Sequence, residues 1–189
     1  MPLYRKMKAY LSESLTKCKL SAVQYGTALH SVMQHLNLKC CGSDAEIVSD
    51  ISRMVETGLI SAEQAALVDP SKIYLFFNTE LGRRIANGRE VLREFKFSIL
   101  EDASKYYSDV ENDRILLQGV VDCALIEDAG ITVIDFKTDY ITDFNFDEKV
   151  QAYSTQIKTY ADALSRIFEK PVLESYIYFF HNGKFVCVK

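Results

Sequence analysis

Proline and glycine are scarce in this chain, three and eight among 189 residues, and neither an internal repeat nor a low-complexity stretch interrupts it. Linker-like architectures are thereby excluded, and most of the sequence is expected to be ordered. Long apolar runs are also missing: the longest, such as residues 175–180, fall far short of the roughly 20 residues that a membrane-spanning helix needs. Arg5, Lys6 and Lys8 are followed by no apolar h-region, so no signal peptide is expected. The five cysteines, at 18, 40, 41, 123 and 187, form no Cys-x-x-Cys pair. The adjacent Cys40 and Cys41 suit neither a zinc site nor an iron–sulfur cluster. An odd count without a signal peptide reads as reduced thiols in a cytoplasmic protein, with Cys123 as part of an apolar strand. No Gly-x-x-x-x-Gly-Lys-Ser/Thr string occurs, which excludes a P-loop ATP site in this chain. A basic excess is absent as well. The formal net charge of −4 weighs against a nucleic-acid-binding surface, although an acidic metal site inside a locally basic groove would give the same total.

What is present is a globular mixture, 48% hydrophobic and 25% charged. The length suffices for one good core and is too short for two ordinary domains. Residues 1–88 are expected to be mainly helical. Leu29, Val32, Met33 and Leu36 recur at helical spacing within residues 22–38, with Ser21 as N-cap. A second helix is predicted over 43–58, with Asp44 and Glu46 in its first turn. A third opens at Ser61, where Glu63 and Gln64 lie near the reach of a capping box. Asp69-Pro70 begins another, which breaks near Asn78-Thr79 before a segment over 81–86. Beyond Gly88 the period changes to that of a sheet core. Phe95 and Phe97 alternate with Glu94 and Lys96 in a strand over 91–100, and a polar loop is expected over 101–112. Strands over 114–127 and 131–138 flank Asp128-Ala129 as a hairpin. An acidic loop over 143–148 precedes a long helix over 149–168, with Ile157, Leu164 and Phe168 on its core side. Strands over 175–180 and 185–188 meet at Asn182-Gly183. The grouping predicts an α/β fold, a mixed sheet flanked by helices, in a single domain spanning residues 1–189.

Two strands carry charges on faces that are otherwise apolar. Asp135 and Lys137 share the face of Ile131 and Val133, and Phe136 points away; Asp122 shares a face with Leu116, Val120, Ala124 and Ile126. An unpaired buried charge is strongly unfavourable, so a bland core would not place charges there. A hairpin loop of either two or four residues puts Asp122 opposite Asp135, with Cβ atoms roughly 4.5–5.5 Å apart. A three-residue loop bulged at Gly130 would instead bring Phe136 opposite Asp122, and this register is predicted not to occur. Two carboxylates so close repel unless a proton or a cation lies between them, and Mg²⁺ or Mn²⁺ prefers oxygen ligands. Lys137 beside such a cation would stabilise charge on a phosphate oxygen or position an attacking water. His30 borders the apolar stripe of its helix, one turn after Gly26; on its own it reads as a partly buried structural histidine. Tyr153, Gln156 and Tyr160 share a helix face, suited equally to stacking on a DNA strand or to capping the core. Glu94 is a candidate for orienting the attacking water, but a solvent-facing strand position is favoured for it.

In order along the chain, Gly26-x-x-x-His30, Gly119-Val120-Val121-Asp122, Asp135-Phe136-Lys137-Thr138-Asp139 and Gln156-x-x-x-Tyr160 resemble the RecB-like branch of the PD-(D/E)XK nucleases. Leu81-Gly82-Arg83-Arg84 followed by Arg93-Glu94-Phe95 looks most like the AddA-type helicase-nuclease subunits within that branch. The resemblance implies a restriction-endonuclease-like core that cuts DNA with a divalent metal, Mg²⁺ or Mn²⁺. His30, Asp122, Asp135 and the Phe136 carbonyl would hold the metal, Lys137 would be the catalytic lysine, and Gln156 and Tyr160, with Tyr153 beside them, would support DNA contact. It further implies an exonuclease acting on a single strand from an unwound duplex during double-strand-break repair. This chain would then be a piece of a larger helicase-nuclease subunit that works with an AddB-like partner. Some relatives hold an iron–sulfur cluster through one upstream and three C-terminal cysteines; only Cys187 lies near the C-terminus here, so no cluster is expected. The competing reading is a non-catalytic DNA- or protein-binding module that keeps the nuclease fold. A small-molecule metallohydrolase, which would need a closed pocket, is a further one.

Overall fold

The computed structural model describes residues 22–105, 107–108 and 113–188, so the Ser21 cap and Cys18 lie outside the described residues. Five helices come first: α1 (Ala22–His35), α2 (Asp44–Glu56), α3 (Ala62–Leu67), α4 (Pro70–Phe77) and α5 (Glu80–Asn87). They are followed by β1 (Glu90–Asp102), β2 (Arg114–Ile126), β3 (Ile131–Lys137), α6 (Phe146–Phe168), β4 (Val172–Phe179) and β5 (Phe185–Cys187). Several boundaries differ from those expected of the sequence, among them β4, which opens at Val172 rather than at Ser175. α1 stops at His35, and Leu38–Cys40 forms a separate 3-10 turn whose Lys39 N–H is taken by the Asn37 side chain. β1 runs on to Asp102, into the polar stretch expected as loop. α6 starts at Phe146, which puts Asp147 and Glu148 in a first turn where the helix dipole favours them.

Local chemistry sets the short helices. Ser43 caps α2, Ser61 and Gln64 form a reciprocal capping box on α3, and Asp69 with Pro70 at N1 opens α4. Thr79 accepts the Gly82 N–H and starts α5. Gly82 is there because α5 turns back against α4: a Cβ at this position would lie 2.1 Å from the Phe76 carbonyl oxygen.

The strands form one sheet in the order β1-β2-β3-β4-β5. β3 and β4 are parallel, joined through α6, and the other neighbours are antiparallel, so the sheet is mixed as expected. Each face buries its own core. On one, α1–α5 pack Leu29, Val32, Ile51, Ile73 and Phe76 against Cys123, Leu125, Ile134, Phe136 and Tyr178. On the other, Ile157, Ala163 and Leu164 of α6 cover Val121, Ile131, Val133, Ile177 and Phe179. Phe136 is the core residue that orients the charged side chains of β3. Its ring lies 5.3 Å from those of both Phe76 and Phe180 and is 3% exposed, a burial that contributes roughly 1.5–3 kcal/mol. Anchoring Phe136 on the helical side fixes its neighbours Asp135 and Lys137 on the α6 side.

Candidate functional site

The site lies at a fork in the sheet. Glu127 and Gly130 exchange backbone hydrogen bonds (2.9 and 3.3 Å), closing the two-residue turn Asp128-Ala129. The resulting β2–β3 register pairs Cys123 with Ile134, the alignment expected to lead on to Asp122 and Asp135. The ladder ends at this pair. β3 continues along β4, with Asp135 beside Ile177, while β2 departs. The Phe136 N–H donates instead to Asp122 Oδ2 at 2.7 Å. The Asp122 carboxylate thus takes over where the β2 backbone leaves off.

The alternation of β1 and β2 breaks at the same level, which corrects the shared face assigned to Asp122. Ala124 and Ile126 pack into the α6 core as expected, but so does Val121, whereas Cys123 packs on the helical side. In β1, Leu92 and Phe95 both reach the α6 core although they differ in parity. The cause is visible at Glu94, which has φ of 50° and lies between the pairs Arg93–Cys123 and Phe95–Val121, level with Asp122. A non-glycine residue held there costs on the order of 1–3 kcal/mol, and such positions cluster at functional sites.

α1 brings an imidazole to this level. Arg93 donates to the Met33 and Leu36 carbonyls and ties β1 to the end of α1. A Cβ at Gly26 would sit 3.2 Å from Thr138 Oγ1, so glycine allows the helix to lie close to the chain just past β3. His30 Nδ1 is 3.1 Å from Glu94 Oε1 and 3.3 Å from Asp122 Oδ1, and Nε2 is 3.2 Å from the Phe136 carbonyl oxygen. Every neighbour is an acceptor, so both ring nitrogens are called upon to donate. Burial alone would lower the His30 pKa; hydrogen bonds to Asp122 and Glu94 outweigh it and raise the value to about 10. An imidazolium therefore supplies the positive charge among these carboxylates when no other cation does.

Asp135 is 2% exposed, and burial pushes its pKa up to about 6, a rise reinforced by Asp122 and opposed by Lys137. Lys137 Nζ lies 2.7 Å from Asp135 Oδ2, yet that oxygen receives no well-aligned hydrogen bond. The ammonium also donates to Gln156 Oε1 at 2.9 Å and sits 4.3 Å from the centre of the Tyr153 ring. Gln156 in turn donates to the Tyr160 hydroxyl at 2.8 Å, and Tyr160 packs edge-on to Phe97. Tyr153 donates to Asp139, whose other oxygen meets Lys149 at 2.7 Å. One connected set of contacts thus runs from α6 to the lysine on β3.

These residues fit a divalent cation. His30, Glu94 and Asp122 offer ligand atoms that all lie within 4.8 Å of one another, and Asp135 keeps a buried oxygen short of a hydrogen bond. The donors are carboxylates, a carbonyl and one imidazole, a set suited to Mg²⁺ or Mn²⁺ rather than to a thiophilic metal. The structure brings His30, Asp122 and the Phe136 carbonyl together. Asp135 stands beside this group, engaged with Lys137. Glu94 departs from the solvent-facing position favoured for it: it is partly buried and bonded to His30. The sequence offers Glu94 as a candidate but does not place it beside His30, because the β1–β2 register is set across a long connection. Gln156, Tyr153 and Tyr160 stand around the lysine. Asp139, two residues past Lys137, carries no signal of its own beyond the Asp-Phe-Lys-Thr-Asp string, yet it anchors both Lys149 and Tyr153.

The chain belongs to the PD-(D/E)XK nuclease superfamily, whose model matches residues 5–186. It is similar to an ATP-dependent helicase/nuclease subunit from Geobacillus kaustophilus, 40% identical over 180 residues that cover 90% of this chain and 14% of that protein. The protein of the same description from Clostridium botulinum strain Okra is 37% identical over 175 residues, again 90% of this chain and 14% of the relative. That from Geobacillus thermodenitrificans is 38% identical across the whole of this chain and 16% of its own length. The chain therefore spans only about one-seventh of the relatives it matches.

Proposed function

We propose that this chain is the nuclease domain of a longer helicase-nuclease subunit, and that it hydrolyses DNA phosphodiesters with Mg²⁺ or Mn²⁺. The observation that carries this reading is the buried Asp135, held between the Lys137 ammonium and the clustered ligand atoms of His30, Glu94 and Asp122. Gathering three acids at one partly buried place opposes folding, and a divalent cation would offset it. His30, Asp122, Asp135 and the Phe136 carbonyl would hold the ion, with Glu94 added to the set. A bound divalent cation would polarise the phosphodiester and lower the pKa of the attacking water. Lys137 is positioned to place a fixed positive charge against a phosphate oxygen, because Asp135, Gln156 and Tyr153 restrain its ammonium. Gln156 and Tyr160 act as positioning residues for that lysine. His30 would hold such an ion as the neutral imidazole, so its own positive charge would be exchanged for that of the cation.

The relatives' description as helicase/nuclease subunits supports a setting in which an ATP-driven motor elsewhere in the longer chain feeds a single strand to this domain. End processing at double-strand breaks, exonucleolytic trimming, an AddB-like partner subunit and a cytoplasmic location belong to the same proposal. The test is degradation of single-stranded DNA by the purified chain. Activity is expected with Mg²⁺ or Mn²⁺ and not with chelator, and Asp135→Ala or Lys137→Ala should each lower it by about 10³-fold. A protein that binds DNA but cuts it under neither metal is the non-catalytic module.

A further inference from the structure

The described arginines divide sharply. Arg53, Arg84, Arg114 and Arg166 each meet a carboxylate, and Arg93 is buried against the carbonyls of α1. Arg83 and Arg89 meet none among the described residues; the Arg83 guanidinium donates to the Asn78 carbonyl. Both line one groove of about 820 Å³ between the 3-10 turn after α1 and the ends of α4 and α5. Lys39, likewise without an ion pair among the described residues, is on the same rim. Leu38, Phe77 and Ala86 contribute an apolar lining, and no described aspartate or glutamate lines it. In a chain whose formal charge is −4, one concavity thus gathers three exposed cations that have no ion pair among the described residues.

We infer that this groove holds the phosphodiester backbone of a DNA strand whose scissile end lies at the Asp122–Asp135 fork. The inference rests on the nuclease reading above and adds a second, distal contact to it. Guanidinium forks match phosphate geometry bidentately, which suits two arginines and a lysine spaced along a rim. The distance is workable. Arg89 immediately precedes β1, and Glu94 lies five positions further along, about 16 Å at strand rise. By the other route, α1 ends at His35, five positions beyond His30 and about 7.5 Å at helical rise, and the 3-10 turn follows it. At about 3.4 Å per nucleotide a strand of about five nucleotides therefore spans groove to acids, whereas the acids by themselves repel the backbone.

The experiment compares the wild-type chain with the triple variant Lys39→Gln, Arg83→Gln, Arg89→Gln. Anisotropy of a labelled oligothymidylate of about 16 nucleotides, the upper end of a common single-strand site, is measured in chelator across salt concentrations. Cutting of a trinucleotide in Mn²⁺ is measured alongside. The variant is expected to bind the long strand about ten-fold or more weakly at 0.1 M salt, with a log–log salt slope smaller by about 2. Trinucleotide cutting should be unchanged, because that substrate does not reach the groove. Equal long-strand affinity and slope in the two proteins would overturn the groove while leaving the nuclease reading intact. A wild-type chain that binds the strand through these cations yet cuts neither substrate would sink the nuclease reading and leave the groove standing.

Discussion

Two charged clusters sit about 10 Å apart along β3, and they are built in opposite ways. Around Thr132, Arg84 meets Glu174 at 2.6 Å, Glu127 at 2.8 Å and the Thr132 hydroxyl at 3.0 Å. The guanidinium holds the Glu174 carboxyl below its ordinary pKa, and the two acids hold Arg84 above its own. Three positions along, Asp135 is raised instead of lowered, and its lysine neighbour leaves one oxygen without a proper hydrogen bond. The neighbouring acids crowd a single histidine. The clusters differ in burial more than in their count of cations: Glu127 and Glu174 stand half-exposed around one arginine, whereas Asp135 is 2% exposed. Burial thus separates two carboxylate groups that both have a cation beside them: it opposes ionisation of Asp135, and the exposed rim spares Glu174.

Added metal should separate the two clusters most visibly. At Mn²⁺ a hundred-fold above its dissociation constant, stabilisation of about 2.7 kcal/mol is expected, which raises the melting temperature by about 5–10 °C. Asp122→Asn or Asp135→Asn should abolish that rise. Arg84→Met should keep the whole of it while lowering metal-free stability by only about 1 kcal/mol, because its ion pairs are half-exposed. An Arg84 variant that loses the metal response would erase the distinction.

An effect of comparable size appears with pH in the metal-free protein. His30 has a folded pKa of about 10 against 6.5 in the unfolded chain, so its contribution is full below pH 6.5 and is lost as pH rises towards 10. Asp135, raised to about 6 from 3.8, adds a loss of the same sign between pH 4 and 6. Thermal melts should decline from pH 7 to 9.5 without metal, and His30→Gln should flatten that decline. Metal affinity should rise over the same range, since the ion competes with these protons. A metal-free melting temperature that climbs with pH in this window contradicts the protonated His30.

Much of the site is legible in the sequence because strand geometry is local. Asp135, Phe136 and Lys137 alternate as their spacing demands, and the two-residue turn fixes the β2–β3 register. Caps are equally legible: Thr79 separates α4 from α5 where the sequence turns polar. Glu94 escapes such a reading for a physical reason. Its left-handed backbone shifts the alternation of β1, and that conformation is imposed by packing around the fork rather than by glutamate's own preference. The same shift moves Val121 to the face assigned to Asp122. Gly26 gives the one cue to long-range contact in α1, and its partner is Thr138.

The most direct measurement is anomalous scattering from crystals of the chain soaked in Mn²⁺. One strong peak is expected at the fork, within coordination distance of His30, Asp122 and Asp135, with the His30 ring no longer donating to both carboxylates. An ion-free fork in fully soaked crystals, with Asp135 still paired to Lys137 alone, would contradict the account.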